Sequence, residues 1–205
     1  MIVTSDDFRL IESTLAGNKE AFGELMLRYQ DRLYGSLVHM LGSFHDARDV
    51  AQDAFLLAYQ KLDTFRHDSS FYAWLFRIAY NSAINNRRKQ RIKTVSLNGN
   101  HSSHHQAHHQ TGREAFDIQP QDHRTSSDPA DSLQSTETIR QVQEALSQLA
   151  PEYKDALVLK EIEGFRYEEI ATMLNCPVGT VRSRIHRARQ LLRERLARAV
   201  EREQE

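Results

Sequence analysis

Residues 94–135 form a polar segment that separates two flanks of different character. The segment holds six of the ten histidines, many Ser, Gln and Asp residues, and five acidic against two basic side chains. Such a composition buries too little apolar surface to offset the entropy lost on ordering, so it predicts a flexible linker. The sequence therefore predicts two small domains, residues 1–93 and 136–205, each with a modest core.

Both flanks carry apolar residues at helical spacing, as in Phe8, Ile11 and Leu15, and neither shows the period-two alternation of a strand. The predicted helices cover residues 8–15, 21–41, 46–62, 69–93, a stretch from about 136, and 152–162, 167–174 and 178–198. Pro151 suits the first turn of the helix that Gly164 ends. The expected fold class is all-α, with a helix-turn-helix in the C-terminal domain.

Composition excludes several classes of protein. A single cysteine, Cys176, supports neither a disulfide scaffold nor a cysteine-based zinc cage. The N-terminal residues lack a basic stretch followed by an apolar one, so we expect no secretory signal. No run approaches the roughly 18 apolar residues that a membrane span needs. We therefore expect a cytoplasmic chain without membrane insertion.

Positive charge is concentrated on the last predicted helix. Residues 178–198 hold seven Arg and one Glu, whereas residues 152–169 hold six acidic and three basic side chains. Arginine neutralises phosphates and can read guanine in the major groove, so this helix is expected to bind DNA, although a solvated Arg-rich face is the alternative. Its exposed arc is expected to present Gly179, Ser183, His186, Arg187 and Gln190, with Arg182 and Arg193 beside it.

The C-terminal part of the chain contains the block EGFRYEEIATMLNCPVGTVRSRIHRARQLLRERL. This block closely resembles region 4.2 of the extracytoplasmic-function (ECF) sigma factors of bacteria. The stretch PVGTVRSRIHRAR carries most of that resemblance. In this family the second helix of the helix-turn-helix reads the −35 promoter element. The resemblance implies that the −35 contacts are made by Thr180, Arg182, Ser183, His186, Arg187 and Gln190.

The predicted helix 46–62 has an acidic arc with a leucine in it. Its opposite, core-facing arc consists of Ala47, Ala51, Ala54, Phe55, Ala58 and Leu62. An exposed leucine among acids fits a protein-binding face, and plain solvation is the alternative. The motif DARDVAQDAF resembles region 2.2 of the same family, which docks on the clamp helices of the largest RNA polymerase subunit. The resemblance implies that this contact is made by Asp46, Asp49, Gln52, Asp53 and Leu56.

Residues 65–80 contain six aromatic side chains, and a basic stretch follows them. Aromatic and basic side chains together can stack unpaired bases and neutralise phosphates, but Trp74 is expected to pack rather than stack. The segment resembles regions 2.3 and 2.4, in which a loop captures a base flipped from the −10 element. The resemblance places Arg66, His67, Asp68, Ser69, Ser70 and Phe71 in that pocket, and Asn81, Asn85 and Arg88 along the adjoining strand. Arg77 aligns with these three at helical spacing on one face and is included among the expected −10 contacts.

The histidines of HSSHHQAHH are at spacings that could share a metal ion. No apolar or carboxylate shell surrounds them in the sequence, so we expect no metal site and no cofactor. No nucleophile–base pair or phosphate-binding glycine loop is present either, and we expect no enzymatic activity.

The resemblance covers residues 8–93 and 136–198 and implies an ECF sigma factor. Such a protein binds core RNA polymerase, directs promoter-specific initiation at −35 and −10 elements, assists strand opening, and is usually held by an anti-sigma factor. One alternative is a stand-alone helix-turn-helix regulator, which leaves DARDVAQDAF and the aromatic block unexplained. The other is an enzyme or metal-storage protein built around the histidines, which metal titration would reveal.

Overall fold

The computed structural model describes residues 5–97 and 141–203, and no strand occurs among them, in agreement with the all-α prediction. The elements are α1 (Ser5–Leu15), α2 (Lys19–Leu41), α3 (Phe44–Gln60), a 3₁₀ turn (Leu62–Thr64), α4 (Phe71–Leu97), α5 (141–147), α6 (Pro151–Leu157), a π-helical turn (Val158–Ile162), α7 (Tyr167–Met173) and α8 (Val178–Glu203). Helix α4 runs four residues past the predicted boundary at 93. The rest of the predicted linker lies outside the described residues.

Local hydrogen bonds explain where the first helices begin. The backbone N–H of Glu20 donates to Asn18 Oδ1 at 3.1 Å, and that of Asp46 donates to Ser43 Oγ at 3.2 Å. These side chains satisfy N–H groups that have no partner within the helix, so α2 and α3 each start about two residues earlier than predicted. Gly17 separates α1 from α2 with φ +102°, a left-handed conformation that glycine adopts without steric cost.

The chain divides into two compact units. The first comprises residues 1–26 and 48–120, and the second comprises residues 27–47 and 121–205. The described part of the first unit holds α1, the start of α2, most of α3, the 3₁₀ turn and α4. The described part of the second holds the remainder of α2 and the helices α5 to α8.

Helix α3 turns its small residues inward, as predicted. The core-facing residues Ala47, Ala51, Ala54, Phe55, Ala58 and Leu62 are all buried. Alanines at this spacing let neighbouring helices approach α3 closely. In α1, by contrast, only Ile11 of the three spaced apolar residues is buried, while Phe8 and Leu15 are each about half exposed. The helical spacing of apolar residues therefore predicted the helix correctly, but fewer of these residues are buried than the spacing indicates.

The second unit has an apolar core and a polar contact beside it. Leu146, Leu149, Leu157 and Ala188 form the core cluster of this unit. Nearby, the fully buried side chain of Glu163 accepts a 3.0 Å hydrogen bond at Oε2 from Arg32 Nε, and Arg32 also donates to the Glu163 backbone carbonyl at 3.0 Å. The hydroxyl of Ser36 donates to Glu163 Oε1. This carboxylate thus joins α2 to the segment that follows the π-helical turn.

The predicted helix 152–162 is present but changes its winding. It begins at Pro151 as α6 and passes at Val158 into the π-helical turn, where the N–H of Glu163 donates to the Val158 carbonyl at 3.1 Å. Gly164, with φ +72°, ends the element as predicted. Glu163 follows the π turn directly, and its carboxylate contacts Arg32 of α2.

Candidate functional site

The C-terminal helices form the predicted helix-turn-helix. Helix α7 ends at Met173, and the N–H of Cys176 donates to the Ala171 carbonyl at 3.1 Å to close the turn. Asn175 takes the left-handed conformation in this turn, with φ +47°, which asparagine tolerates better than most residues. Along α8, one arc consists of five apolar residues at helical spacing, of which Val181, Ile185 and Ala188 are buried and Val178 and Leu192 are half-buried.

The opposite arc of α8 faces solvent. Thr180 is half-buried, and the exposed side chains are those of Arg182, Ser183, His186, Arg187, Gln190 and Arg193. Exposed polar groups of this arc make local hydrogen bonds: Ser183 Oγ donates to the Thr180 carbonyl at 2.9 Å, Arg187 donates to Gln190 Oε1 at 3.0 Å, and Gln190 Nε2 donates to Glu194 Oε1 at 3.2 Å. The structure thus brings the predicted −35 set together on one helix and one largely exposed face.

Tyr167 is a neighbour of this face that the sequence analysis did not identify. The guanidinium carbon of Arg182 lies 5.8 Å from the centre of the Tyr167 ring, and Lys160 Nζ lies 5.0 Å from it. A cation over an aromatic face is attracted by the negative potential of the ring. The sequence signal for this contact was the aromatic residue Tyr167 at the first position of α7, the first helix of the helix-turn-helix.

The predicted polymerase-binding residues share one face of α3. Asp49, Asp53 and Leu56 are exposed, and Asp46 and Gln52 are half-buried. Leu56 is 44% exposed and lies on the same face as these acidic side chains. A single exposed apolar residue is common on protein surfaces, so the structure shows here the acidic face with one exposed leucine that the sequence predicts.

The predicted base-capture residues lie between the 3₁₀ turn and α4. Arg66, His67 and Asp68 are exposed, and Ser69 and Ser70 are half-buried. Ser70 Oγ accepts a 3.1 Å hydrogen bond from the N–H of Ala73, so Ser70 caps the start of α4.

Phe71 differs from the other residues of this set. Its side chain is fully buried, with its ring centre 5.9 Å from that of Phe65 and 5.8 Å from that of Trp74. A ring at this depth supports the loop from beneath and does not line an open pocket. The structure therefore does not place Phe71 with the exposed members of the predicted set.

Helix α4 presents the predicted polar row on its outer face. Arg77, Asn81, Asn85 and Arg88 are all exposed. Trp74 is buried and lies 5.3 Å from Phe65 between ring centres, so it packs in the core as expected. The row supplies hydrogen-bond donors and acceptors over three turns of helix.

The described residues offer no metal-binding cluster of three or more His, Cys, Asp or Glu side chains. The histidines of residues 101–109 lie outside the described part of the chain.

In the second unit an open groove of about 860 Å³ lies against α8, lined largely by apolar side chains such as Leu146, Leu157 and Leu192. No helix within residues 5–97 and 141–203 combines the length and apolar character required for a membrane span.

Comparisons with known proteins agree with this arrangement. Residues 25–92 match the family Sigma-70 region 2, and residues 139–192 match the family Sigma-70, region 4. The RNA polymerase sigma-H factor of Pseudomonas aeruginosa is 37% identical over 196 residues, which cover 94% of each chain. The ECF RNA polymerase sigma factor SigW of Bacillus subtilis is 33% identical over 186 residues, covering 91% of this chain and 94% of SigW.

A solved structure is also similar. The sigma factor RpoE, in complex with the anti-sigma factor NepR from Bartonella quintana, has a TM-score of 0.64 and 27% identity, covering 86% of this chain and 96% of that one. A helical region 2 followed by a helix-turn-helix region 4 defines a protein of the sigma-70 class. Within that class, the chain belongs to the ECF RNA polymerase sigma factors.

Proposed function

We propose that this chain binds core RNA polymerase and gives it promoter specificity through three surfaces. The observation that carries the proposal is that the predicted contact residues fall on three largely exposed faces of different chemistry: acidic with a leucine on α3, polar and basic on α4, and Arg-rich on α8. The proposed domains keep the predicted boundaries, with residues 1–93 as region 2 and residues 136–205 as region 4.

The α3 face is the proposed contact with the clamp helices of the largest polymerase subunit. Its carboxylates at Asp49 and Asp53 would steer a basic partner surface, and Leu56 would be desolvated on docking. The buried alanines beneath them support this assignment, because a helix held by close packing presents its outer face rigidly.

Helix α8 is the proposed reader of the −35 element. Arg182, Ser183, His186 and Arg187 stand on the exposed arc of the second helix of the helix-turn-helix, which in such motifs enters the major groove. The contact between Arg182 and Tyr167 supports this role, because it limits the rotamers of the arginine before DNA binds.

The loop before α4 is the proposed pocket for a base extruded from the −10 element, and the row from Arg77 to Arg88 follows the adjoining strand. Extruding a base costs a few kcal/mol, which contacts in the pocket must offset. Arg66, His67 and Asp68 are exposed and are the proposed contacts to the base. Phe71 is assigned the role of supporting the loop, because it is fully buried.

This activity places the protein in the cytoplasm, with no covalent chemistry of its own. An anti-sigma factor is a proposed partner, since the similar RpoE structure is a complex with an anti-sigma factor. The stand-alone regulator is disfavoured because relatives matched over nine-tenths of this chain are named as sigma factors.

The proposal is tested by run-off transcription with core RNA polymerase of the organism that encodes the chain. A pool of randomised promoters is transcribed with and without the purified protein. We expect transcripts that require the protein and share two spaced sequence motifs. Sequence-selective DNA binding without any dependent transcript would instead support the stand-alone regulator.

A further inference from the structure

A chain of aromatic contacts runs from the core of the first unit to the surface of the proposed base-capture loop. Trp74 and Phe65 are buried, with ring centres 5.3 Å apart. Phe65 contacts His67 in the loop at 4.6 Å, and His67 contacts Phe8 of α1 at 5.2 Å. Phe8 lies outside the residues matched by either sigma-70 family. The outermost ring is therefore supplied by a helix that has no assigned part in promoter recognition.

The backbone of His67 is held in an unfavourable conformation. Its φ of +58° is in the left-handed region, which residues other than glycine enter infrequently, although histidine does so more often than most. Such a conformation persists only where the surroundings fix it. The two ring contacts of His67, one from beneath by Phe65 and one from α1 by Phe8, are interactions able to do so.

Burial does not explain the position of Phe8. Its side chain is 46% exposed, and Leu15 on the same helix is 50% exposed. Leu15 lies on the same helix and is almost equally exposed, but it has no aromatic ring. The two residues therefore form a matched pair that separates ring contact from general apolar packing of α1.

We propose that Phe8 is a positioning residue for the −10 element: it holds His67, and through it the loop of residues 66–70, in the shape that accepts the extruded base. This inference rests on the proposed function of the loop and adds α1 to the recognition machinery. Phe8 acts through His67 and is not assigned a contact with DNA. The Phe8–His67 contact prepares the loop before DNA arrives, so its loss reduces the fraction of molecules competent to capture the base.

The experiment uses holoenzyme and a promoter that carries 2-aminopurine next to the base extruded from the −10 element. Unstacking of that neighbour raises its fluorescence, which reports base capture separately from binding. For Phe8→Ala we expect the capture equilibrium to fall about three- to tenfold, the size of an aromatic pair contribution. Phe8→Tyr keeps the ring and should stay near wild type, and Leu15→Ala should be unchanged.

His67→Gly supplies the second arm of the test. Glycine adopts the left-handed backbone freely but has no ring for Phe8 to contact. Because His67 is also a proposed contact to the base, His67→Gly lowers capture by itself, and the effect of Phe8→Ala is measured relative to His67→Gly. In that background Phe8→Ala should cause no further loss, because the ring contact is already absent, and a further loss of about three- to tenfold would contradict the positioning role. Phe8→Leu, which keeps apolar volume, replaces Phe8→Ala if the latter lowers the melting temperature.

The outcomes separate this inference from the proposed function. Loss of the fluorescence signal in Phe8→Ala, with Phe8→Tyr and Leu15→Ala intact, supports the positioning role. Equal signals for Phe8→Ala and Leu15→Ala, in a wild-type holoenzyme that does capture the base, overturn it. If the wild-type holoenzyme captures no base at this position, the proposed −10 function of the loop fails first.

Discussion

Arg32→Ala tests the buried contact that joins α2 to the segment after the π-helical turn. The Glu163 side chain is 0% exposed, whereas that of Arg32 is 51% exposed. The substitution removes the guanidinium from a carboxylate that water does not reach in the native structure. Glu163 would keep the hydroxyl of Ser36 as a donor but lose the cation that balances its charge. We expect the second unit to be destabilised.

The magnitude follows from how far each partner is buried. Removing one member of a fully buried ion pair costs about 3–5 kcal/mol, because the remaining charge is left uncompensated. Hydrogen bonds to charged groups contribute about 1.5–3 kcal/mol. Arg32 is half in solvent, so water can enter the space it leaves and solvate part of the carboxylate. We therefore expect a loss of about 2 kcal/mol, which is below the range for a fully buried pair and within the range for hydrogen bonds to a charged group.

The loss is measured by urea unfolding of the full chain, followed by far-ultraviolet circular dichroism. Arg48→Ala, an exposed arginine on α3, is the control and should change the free energy of unfolding by less than about 0.5 kcal/mol. Glu163→Gln in the Arg32→Ala background removes the uncompensated charge while its amide oxygen can still accept from Ser36. That double variant should recover part of the loss. A loss for Arg32→Ala no larger than the control, or no recovery in the double variant, would refute the reasoning.

Three further predictions follow from the exposed faces and from one half-buried histidine. Asp49→Ala with Asp53→Ala should weaken binding to core polymerase about tenfold with the fold intact, and unchanged co-purification with core would contradict the α3 assignment. Arg187→Ala should lose about 1–3 kcal/mol of discrimination at one −35 position, measured as transcription from −35 variants. Wild-type sensitivity to those variants would exclude the contact. Burial lowers the pKa of His39 below its ordinary value of 6.5. A hydrogen bond with Gln143 acts in the opposite direction but is the smaller effect. The unfolded chain therefore holds that proton more tightly, so the contribution of His39 to stability is complete above about pH 6.5 and declines as the pH falls towards the folded-state pKa. His39→Gln should flatten this part of the stability profile, and an unchanged slope between pH 7 and 5 in unfolding titrations would contradict it.

The elements that could be predicted from sequence are those fixed by local periodicity. The alanine and phenylalanine spacing of α3 predicts its buried arc, and Val181, Ile185 and Ala188 predict that of α8. In these helices one face is apolar and the other polar, so each residue's burial follows from its angle around the axis. The exposed arcs that carry the proposed contacts were predicted by the same geometry.

The contacts that could not be predicted join residues far apart in the chain. Arg32 and Glu163 are 131 positions apart. Nothing in the local pattern of either helix shows that they meet, and an isolated glutamate before a glycine is typical of a solvated helix end. Its burial depends on the packing of α2 with the C-terminal helices and on the π-helical winding that precedes Glu163.

The set of residues that the resemblance assigns to the proposed base-capture loop contains two kinds of residue: those that stabilise the loop and those that are exposed on it. The resemblance assigns residues 66–71 to one pocket, yet the hydroxyl oxygen of Ser70 caps α4 and the Phe71 ring is fully buried. A loop that must hold a fixed shape before a helix needs a cap and an apolar anchor, and these two residues supply them. In the proposed pocket, contacts to the base are then left to the exposed side chains of Arg66, His67 and Asp68. Because His67 is one of these three and its ring contacts Phe8 of another helix, Phe8 is expected to influence how readily the proposed loop captures a base.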